Sequence, residues 1–462
     1  PLWLQVHLGN SCQCIVAILE KPMRRSLFAL GVLAAAAGRY RPSVGHVPLW
    51  ADFGSDSWSF TNHGRCVPHG ERMRCGISDE DAAFIAGTYD LVSLEKCFGV
   101  GGPGPHNYTI SNFIWTARQI KRQPGGNRTK VLFYWSSHTA YTDCYEDVAS
   151  GLMMAHPEWW LRRANGSAYS HHAKRPIIDF TVKAAADWWV SVLTYVYQHA
   201  DEAMDGVFID GASDWASNLP REDFSDERIA ELNAAHRVAM RRASQALHKL
   251  SPSLQMIGNG ASIELLKDGT LDGTCVEHFG AFEWATSVSG VPRAKIVSRV
   301  LDSLHELAAL GKVVLVKGWV GPETTPIDDL GPTWPRKFVD PKTDKGLKRN
   351  PQGISRAASD LLDYALASFL CTMGTSFMFS YTWWYDVHEG VVPGGDAPKK
   401  WYPQLQRPLG QAQGPARLED GHRCSRFFEG AEIAVDLLDY SSAKITWKSV
   451  AGDSEGSLSF MK

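Results

Sequence analysis

The chain lacks a charge excess of either sign. Lys plus Arg number 47 and Asp plus Glu 50, a net charge of −3. Without a basic excess or stripe, the usual electrostatic footprint of a nucleic-acid-binding protein is missing. Long apolar runs are missing too. The longest lies near the amino terminus and covers about a dozen residues, short of the ~20 that span a bilayer. No CxxC pair, HExxH or HxH spacing marks a metal site. No repeat at solenoid period is present. Disorder is excluded by ordinary composition, with 21% charged and 44% hydrophobic residues. What the chain does have is tryptophan, 17 residues of it. Each is a flat surface suited to a core or to stacking on a ligand.

Met23-Arg24-Arg25, the apolar run from Ser26 to Ala37 and the small residues up to Gly38 read as a secretory signal peptide. Met23 is the expected initiator, and residues 1–39 are read as a leader. The sequons Asn107-Tyr-Thr, Asn127-Arg-Thr and Asn165-Gly-Ser fit the same route, so a secreted glycoprotein is expected. Seven cysteines follow the leader: Cys66, Cys75, Cys97, Cys144, Cys275, Cys371 and Cys424. The odd number leaves at least one unpaired. Cys66 with Cys75 is the best disulfide candidate, and Cys97 with Cys144 the next.

Eight strand-like runs recur between helical patterns: residues 90–95, 131–136, 176–180, 206–210, 255–259, 274–278, 312–319 and 376–381. Alternating strands and helices imply parallel βαβ units, and eight of them predict a (β/α)8 TIM barrel. A doubly wound sheet is the runner-up. Its phosphate loop would have to be the Gly-rich stretch 99–105, where Pro103 and Pro105 make a poor helix start. The expected organisation is an amino-terminal segment 40–77 packing on the barrel, the barrel over 78–385, and a carboxy-terminal extension 386–462 with a small β appendage.

In such a barrel the carboxyl ends of the strands form the active face. The polar and aromatic residues there are Lys96, Trp135, His138, Asp179, Asp210, Asn259, Glu277, Lys317, Trp319 and Tyr381, followed by Trp383 and Trp384. Alternation along a strand puts Phe208 with Asp210, Cys275 with Glu277, and Lys317 with Trp319 on shared faces. If those faces point inward, Asp210 and Glu277 converge. Two carboxylates beside aromatic rings suit glycosidic cleavage: one protonates the leaving oxygen while the other attacks carbon or activates water. Each residue also has a plainer use. Asp179, followed by Thr181 and a helix, reads as a cap.

The stretch His156-Pro-Glu-Trp-Trp-Leu-Arg-Arg-Ala-Asn-Gly-Ser, then Ile178-Asp-Phe-Thr, Ala186-Asp-Trp-Trp and Asp205-Gly-Val-Phe-Ile-Asp-Gly, resembles barrel glycoside hydrolases. The group comprises the hypothetical glycosyl-hydrolase-like families and the endo-α-1,4-polygalactosaminidase family. Tyr89-Asp-Leu-Val-Ser-Leu fits its first strand. Pro408-Leu-Gly, Gly414-Pro-Ala and Arg426-Phe-Phe-Glu-Gly fit its closing passage. The likeness spans residues 85 to about 445. It implies a carbohydrate substrate, no cofactor, and catalytic carboxylates at Asp210 and Glu277. Gly211 departs from the group, whose members often carry Asn or another polar residue there.

The leading expectation is therefore a secreted glycosidase of retaining mechanism, with Asp210 as nucleophile and Glu277 as acid/base. The other ten residues named above are substrate-binding candidates. Three alternatives stay open: a non-catalytic carbohydrate-binding barrel, a Schiff-base enzyme using Lys317 or Lys96, and metal-assisted hydrolysis by His138, Asp179, Asp210, Glu277 and His278.

Overall fold

The computed structural model describes residues 46–53, 65–69, 72–94, 109–141, 150–171, 175–280, 282, 286, 290–318, 351–381 and 402–448. The elements run in chain order as β1 (Trp50–Phe53), β2 (Arg65–His69), β3 (Arg72–Gly76), α1 (Asp79–Thr88), β4 (Leu91–Leu94) and α2 (Thr109–Arg122). Next come β5 (Lys130–Ser136), α3 (Ser150–Ala155), β6 (Ser170–His171), β7 (Arg175–Pro176), α4 (Lys183–His199) and β8 (Gly206–Asp210). They continue as α5 (Asp226–Leu250), β9 (Gln255–Asn259), α6 (Ile263–Lys267), β10 (Gly273–Phe279), α7 (Arg293–Ala309) and β11 (Val313–Gly318). The last are α8 (Pro351–Thr372), β12 (Phe377–Tyr381), β13 (Arg417–Glu419), β14 (Arg423–Phe427), β15 (Ala431–Asp436) and β16 (Lys444–Trp447).

Eight parallel strands pair in the order β1-β4-β5-β8-β9-β10-β11-β12. A parallel bridge between Leu49 and Phe379 joins the two ends, so the sheet closes into a TIM barrel. Its lumen is plugged by one cluster of buried side chains: Trp50, Leu91, Leu132, Tyr134, Phe208, Ile257, Cys275, Val313, Leu315 and Met378. The alternate residues of the same strands face out and merge with the helices. Helix ends follow local rules. Ser225 caps α5 by accepting from the Arg228 N–H, with Asp226 and Glu227 in the first turn, as its sequence predicts.

The number of strands agrees with the sequence reading, but one member differs. The first barrel strand is Trp50–Phe53, inside the segment expected to precede the barrel. Its stretch 47–53 is short and interrupted by Pro48 and Asp52, which masks the signal. The run 176–180 is not a barrel strand. Arg175–Pro176 pairs antiparallel with Ser170–His171, and Ile177 and Ile178 make antiparallel bridges to Thr139 and Trp160. A parallel partner needs a crossover that packs back on the sheet. Between β5 and this run the described residues offer only the six-residue α3 and a single 3-10 turn.

The carboxy-terminal appendage is a four-stranded antiparallel sheet, β13-β14-β15-β16. It is packed on the barrel. Cys371 of α8 is disulfide-bonded to Cys424 of β14. Arg426 donates to the carbonyls of Leu370 and Met373, and the Tyr364 hydroxyl to that of Leu437. Nothing in the cysteine spacing points to this disulfide. The main-chain register of β2 and β3 does set Cys66 opposite Cys75. Cys97 and Cys144 lie outside the described residues, and Cys275 is buried in the barrel lumen. Among the described residues no helix is long and apolar enough to cross a membrane.

Candidate active site

Above the apolar plug the lumen turns polar. The inward parity set by Phe208, Ile257, Cys275 and Leu315 carries Asp210, Asn259, Glu277 and Lys317 to the carboxyl ends of four successive strands. They join through side-chain bonds into one row. Tyr134 donates its hydroxyl to Asp210 Oδ2 at 2.5 Å. Asn259 Nδ2 donates to Asp210 Oδ1 at 3.1 Å and to Glu277 Oε2 at 3.0 Å. Lys317 Nζ lies 3.6 Å from Glu277 Oε1. Each carboxylate oxygen thus has a donor or a cation beside it. The two bonds of the Asn259 nitrogen, laid end to end, hold Asp210 Oδ1 and Glu277 Oε2 within about 6 Å. Glu277 and Lys317 are buried, at 6% and 2% exposure, while Asp210 is half-buried at the mouth.

A carboxylate pair this close can divide acid, base and nucleophilic work across one bond. It is not suited to Schiff-base chemistry. A lysine nucleophile must be neutral, and a carboxylate beside Lys317 favours the ammonium. Nor do His138, Asp179, Asp210 and Glu277 converge. No three His, Cys, Asp or Glu side chains among the described residues are grouped to hold a metal ion. Only the backbone of His278 is described.

Several of the expected substrate-binding residues are elsewhere. Trp135 points outward, stacked on Phe133 at 6.0 Å and edge-on to Trp188. Tyr381 also points outward, against Phe379 and Tyr402. Both lie one residue out of phase with the lumen. Asp179 accepts from the Thr181 N–H and hydroxyl and pairs with Arg228 at 2.5 Å, so it caps a turn and ties it to α5. His138 is buried behind the turn that follows Asp210, its ring 4.9 Å from and parallel to that of Trp215. Lys96, Trp319, Trp383 and Trp384 lie outside the described residues.

Tyr134 is the site residue that sequence reasoning misses. Both faces of the run 131–136 are apolar, so alternation gives no phase there. Ser136, polar and in register with Asp210, is the signal that puts 134 and 136 on the inner face. Gly211 also gains a reason. Its φ is +74°, and a Cβ there would lie 2.5 Å from His138 Cε1.

A closed parallel barrel with a carboxylate pair across the carboxyl ends of its strands defines the class of barrel glycoside hydrolases. Within it, the chain belongs to Hypothetical glycosyl hydrolase family 15, whose model matches residues 126–432. It is accordingly a glycosidase by family. No curated protein sequence matches it. Among solved structures it is similar to a maltogenic α-amylase from Thermotoga neapolitana, at 13% identity and a TM-score of 0.46, over 85% of this chain and 86% of that one. An α-amylase from Lactobacillus plantarum gives 12% and 0.44, over 84% and 87%. An α-galactosidase from Thermus thermophilus gives 14% and 0.40, over 84% and 66%.

Proposed function

We propose that the protein is a secreted glycosidase that cleaves an oligo- or polysaccharide with retention. Asp210 serves as nucleophile and Glu277 as acid/base. One observation carries the reading: a single amide nitrogen bonded to both carboxylates, which keeps their nearest oxygens within about 6 Å. Retention uses carboxyls ~5–5.5 Å apart, and inversion needs ~6.5–9.5 Å to admit water. Asp210 has neutral donors on both oxygens, which orient it without cancelling its charge. Glu277 is pulled two ways. The Asp210 charge opposes its ionisation, as the first step requires. Lys317 favours ionisation, as the second step requires once Asp210 is neutralised in the glycosyl ester.

Secretion is supported by the signal-like segment at 23–38, the Cys371–Cys424 disulfide, and the exposure of Asn127 and Asn165 in their sequons. The experiment is reducing-end release from a broad polysaccharide panel, followed by proton NMR of the first anomer formed. Retention of the anomer is expected. Initial release of the inverted anomer would remove Asp210 as nucleophile. Turnover surviving Glu277→Gln with both natural and activated substrates would remove Glu277 from the chemistry.

A further inference from the structure

We propose that Asn259 is the positioning residue of the carboxylate pair, setting the gap between Asp210 and Glu277 through one amide nitrogen bonded to both. The proposal rests on the glycosidase reading only for what the pair does, not for how it is held. An amide nitrogen has two N–H groups, and here each goes to a different carboxylate, at 3.1 and 3.0 Å. The reverse orientation would set a carbonyl oxygen against two ionised carboxylates, which have no proton to donate. The residue is firmly placed. Asn259 is 4% exposed, its main-chain carbonyl accepts from the Ala212 N–H, and β9 is hydrogen-bonded to β8 on one side and β10 on the other. With both donors committed, substrate can bond to this nitrogen only by displacing a carboxylate. That is why we assign it to positioning and not to sugar recognition.

The geometry has a consequence for the proton. Donation to a carboxylate favours its ionised form. Among the described residues, the Tyr134 hydroxyl from β5 and the Lys317 ammonium from β11 also face the pair, and they act in the same sense. His138 lies behind Gly211. Asn259 on β9 reaches the strands on both sides, β8 and β10, so losing its donors acts on both carboxylates together.

The test reads protonation without substrate. The purified full chain is treated with a water-soluble carbodiimide and an amine across a pH series, because the reagent attacks protonated carboxyls. Labelling of Asp210 and Glu277 is then mapped by peptide mass spectrometry, with Glu231 as an exposed reference. In Asn259→Leu, of similar size but without donors, the labelling midpoints of both groups should rise by about one pH unit or more. Asn259→Asp, a near-isostere that also lacks the amide donors, should raise both further and remains the test if the leucine variant misfolds. Unchanged midpoints at either carboxylate would overturn the proposal. Raised midpoints in a protein silent on every glycan would still support the positioning role and count only against the glycosidase reading. An active protein with unchanged midpoints would sink the positioning role alone. Where activity is found, both limbs of the pH–rate profile should move together to higher pH in the two variants. A loosened structure alone would lower kcat with the limbs in place.

Discussion

Asp179 and Asp210 end two apolar runs that look alike in sequence, Ile177-Ile-Asp-Phe and Phe208-Ile-Asp-Gly. The structure gives them opposite uses. Asp210 sits on a strand held between two parallel neighbours, so its parity is locked to the lumen, where Asn259 links it to Glu277. Asp179 follows antiparallel bridges in the connection after β5, where its oxygens are taken up by Thr181 and Arg228. The side chain is the same in both. What differs is whether the backbone before it belongs to the barrel.

The sharpest way to break this comparison is to remove the two charges in turn. Asp210→Asn should lower kcat/KM by roughly a thousandfold or more on whatever glycan is hydrolysed, with the melting temperature little changed. Loss of only a few-fold would remove Asp210 from the chemistry. Asp179→Asn should do the reverse. Activity per folded molecule should be kept, and stability should fall by about 1–3 kcal/mol in urea titration as Arg228 keeps Glu231 but loses the buried Asp179.

A second contrast sets the carboxylate pair in the lumen against a histidine in the shell. His236 on α5 is fully buried against Phe180 and Trp215, and neither ring nitrogen has a hydrogen-bond partner. Burial, reinforced by His138 and Arg237, pushes its pKa down from 6.5 to about 3. The unfolded chain therefore takes up a proton first as pH falls. The contribution of His236 to stability is intact above about pH 6.5. It is lost at up to about 1.4 kcal/mol per pH unit below that, down towards pH 3. In urea titrations between pH 7 and 4, His236→Leu should flatten this slope. An unchanged slope would assign the acid sensitivity to other groups.

A smaller effect sharpens the role of the turn behind Asp210. Gly211→Ala should cost about 1–3 kcal/mol, because it combines a positive φ with the His138 ring. Adding His138→Ala should recover only the steric share. Additive costs in the double variant would mean that the two residues do not meet.

Much of the fold was legible because barrels repeat. Alternating strand and helix patterns revealed the class, the appendage and the seven barrel strands from 91 onward. Asp210, Glu277 and Lys317 were legible because each is a polar residue at the end of an apolar strand, spaced by two from another inward residue. Trp135 and Tyr381 were misplaced for the opposite reason. Their strands are apolar on both faces, buried against the plug on one side and the helices on the other. Pattern then carries no phase, and a one-residue slip exchanges Trp135 for Tyr134.

The sequence by itself determined the parallel barrel, the carboxylates at its mouth and, through its family motifs, the class of chemistry. These rest on periodicity and on residue types that local rules can read. Only the tertiary structure decided which apolar run closes the barrel, which of two aspartates faces the lumen, and that one asparagine bonds both carboxylates. Those depend on register between strands far apart in the chain, and register is fixed by packing on both faces at once.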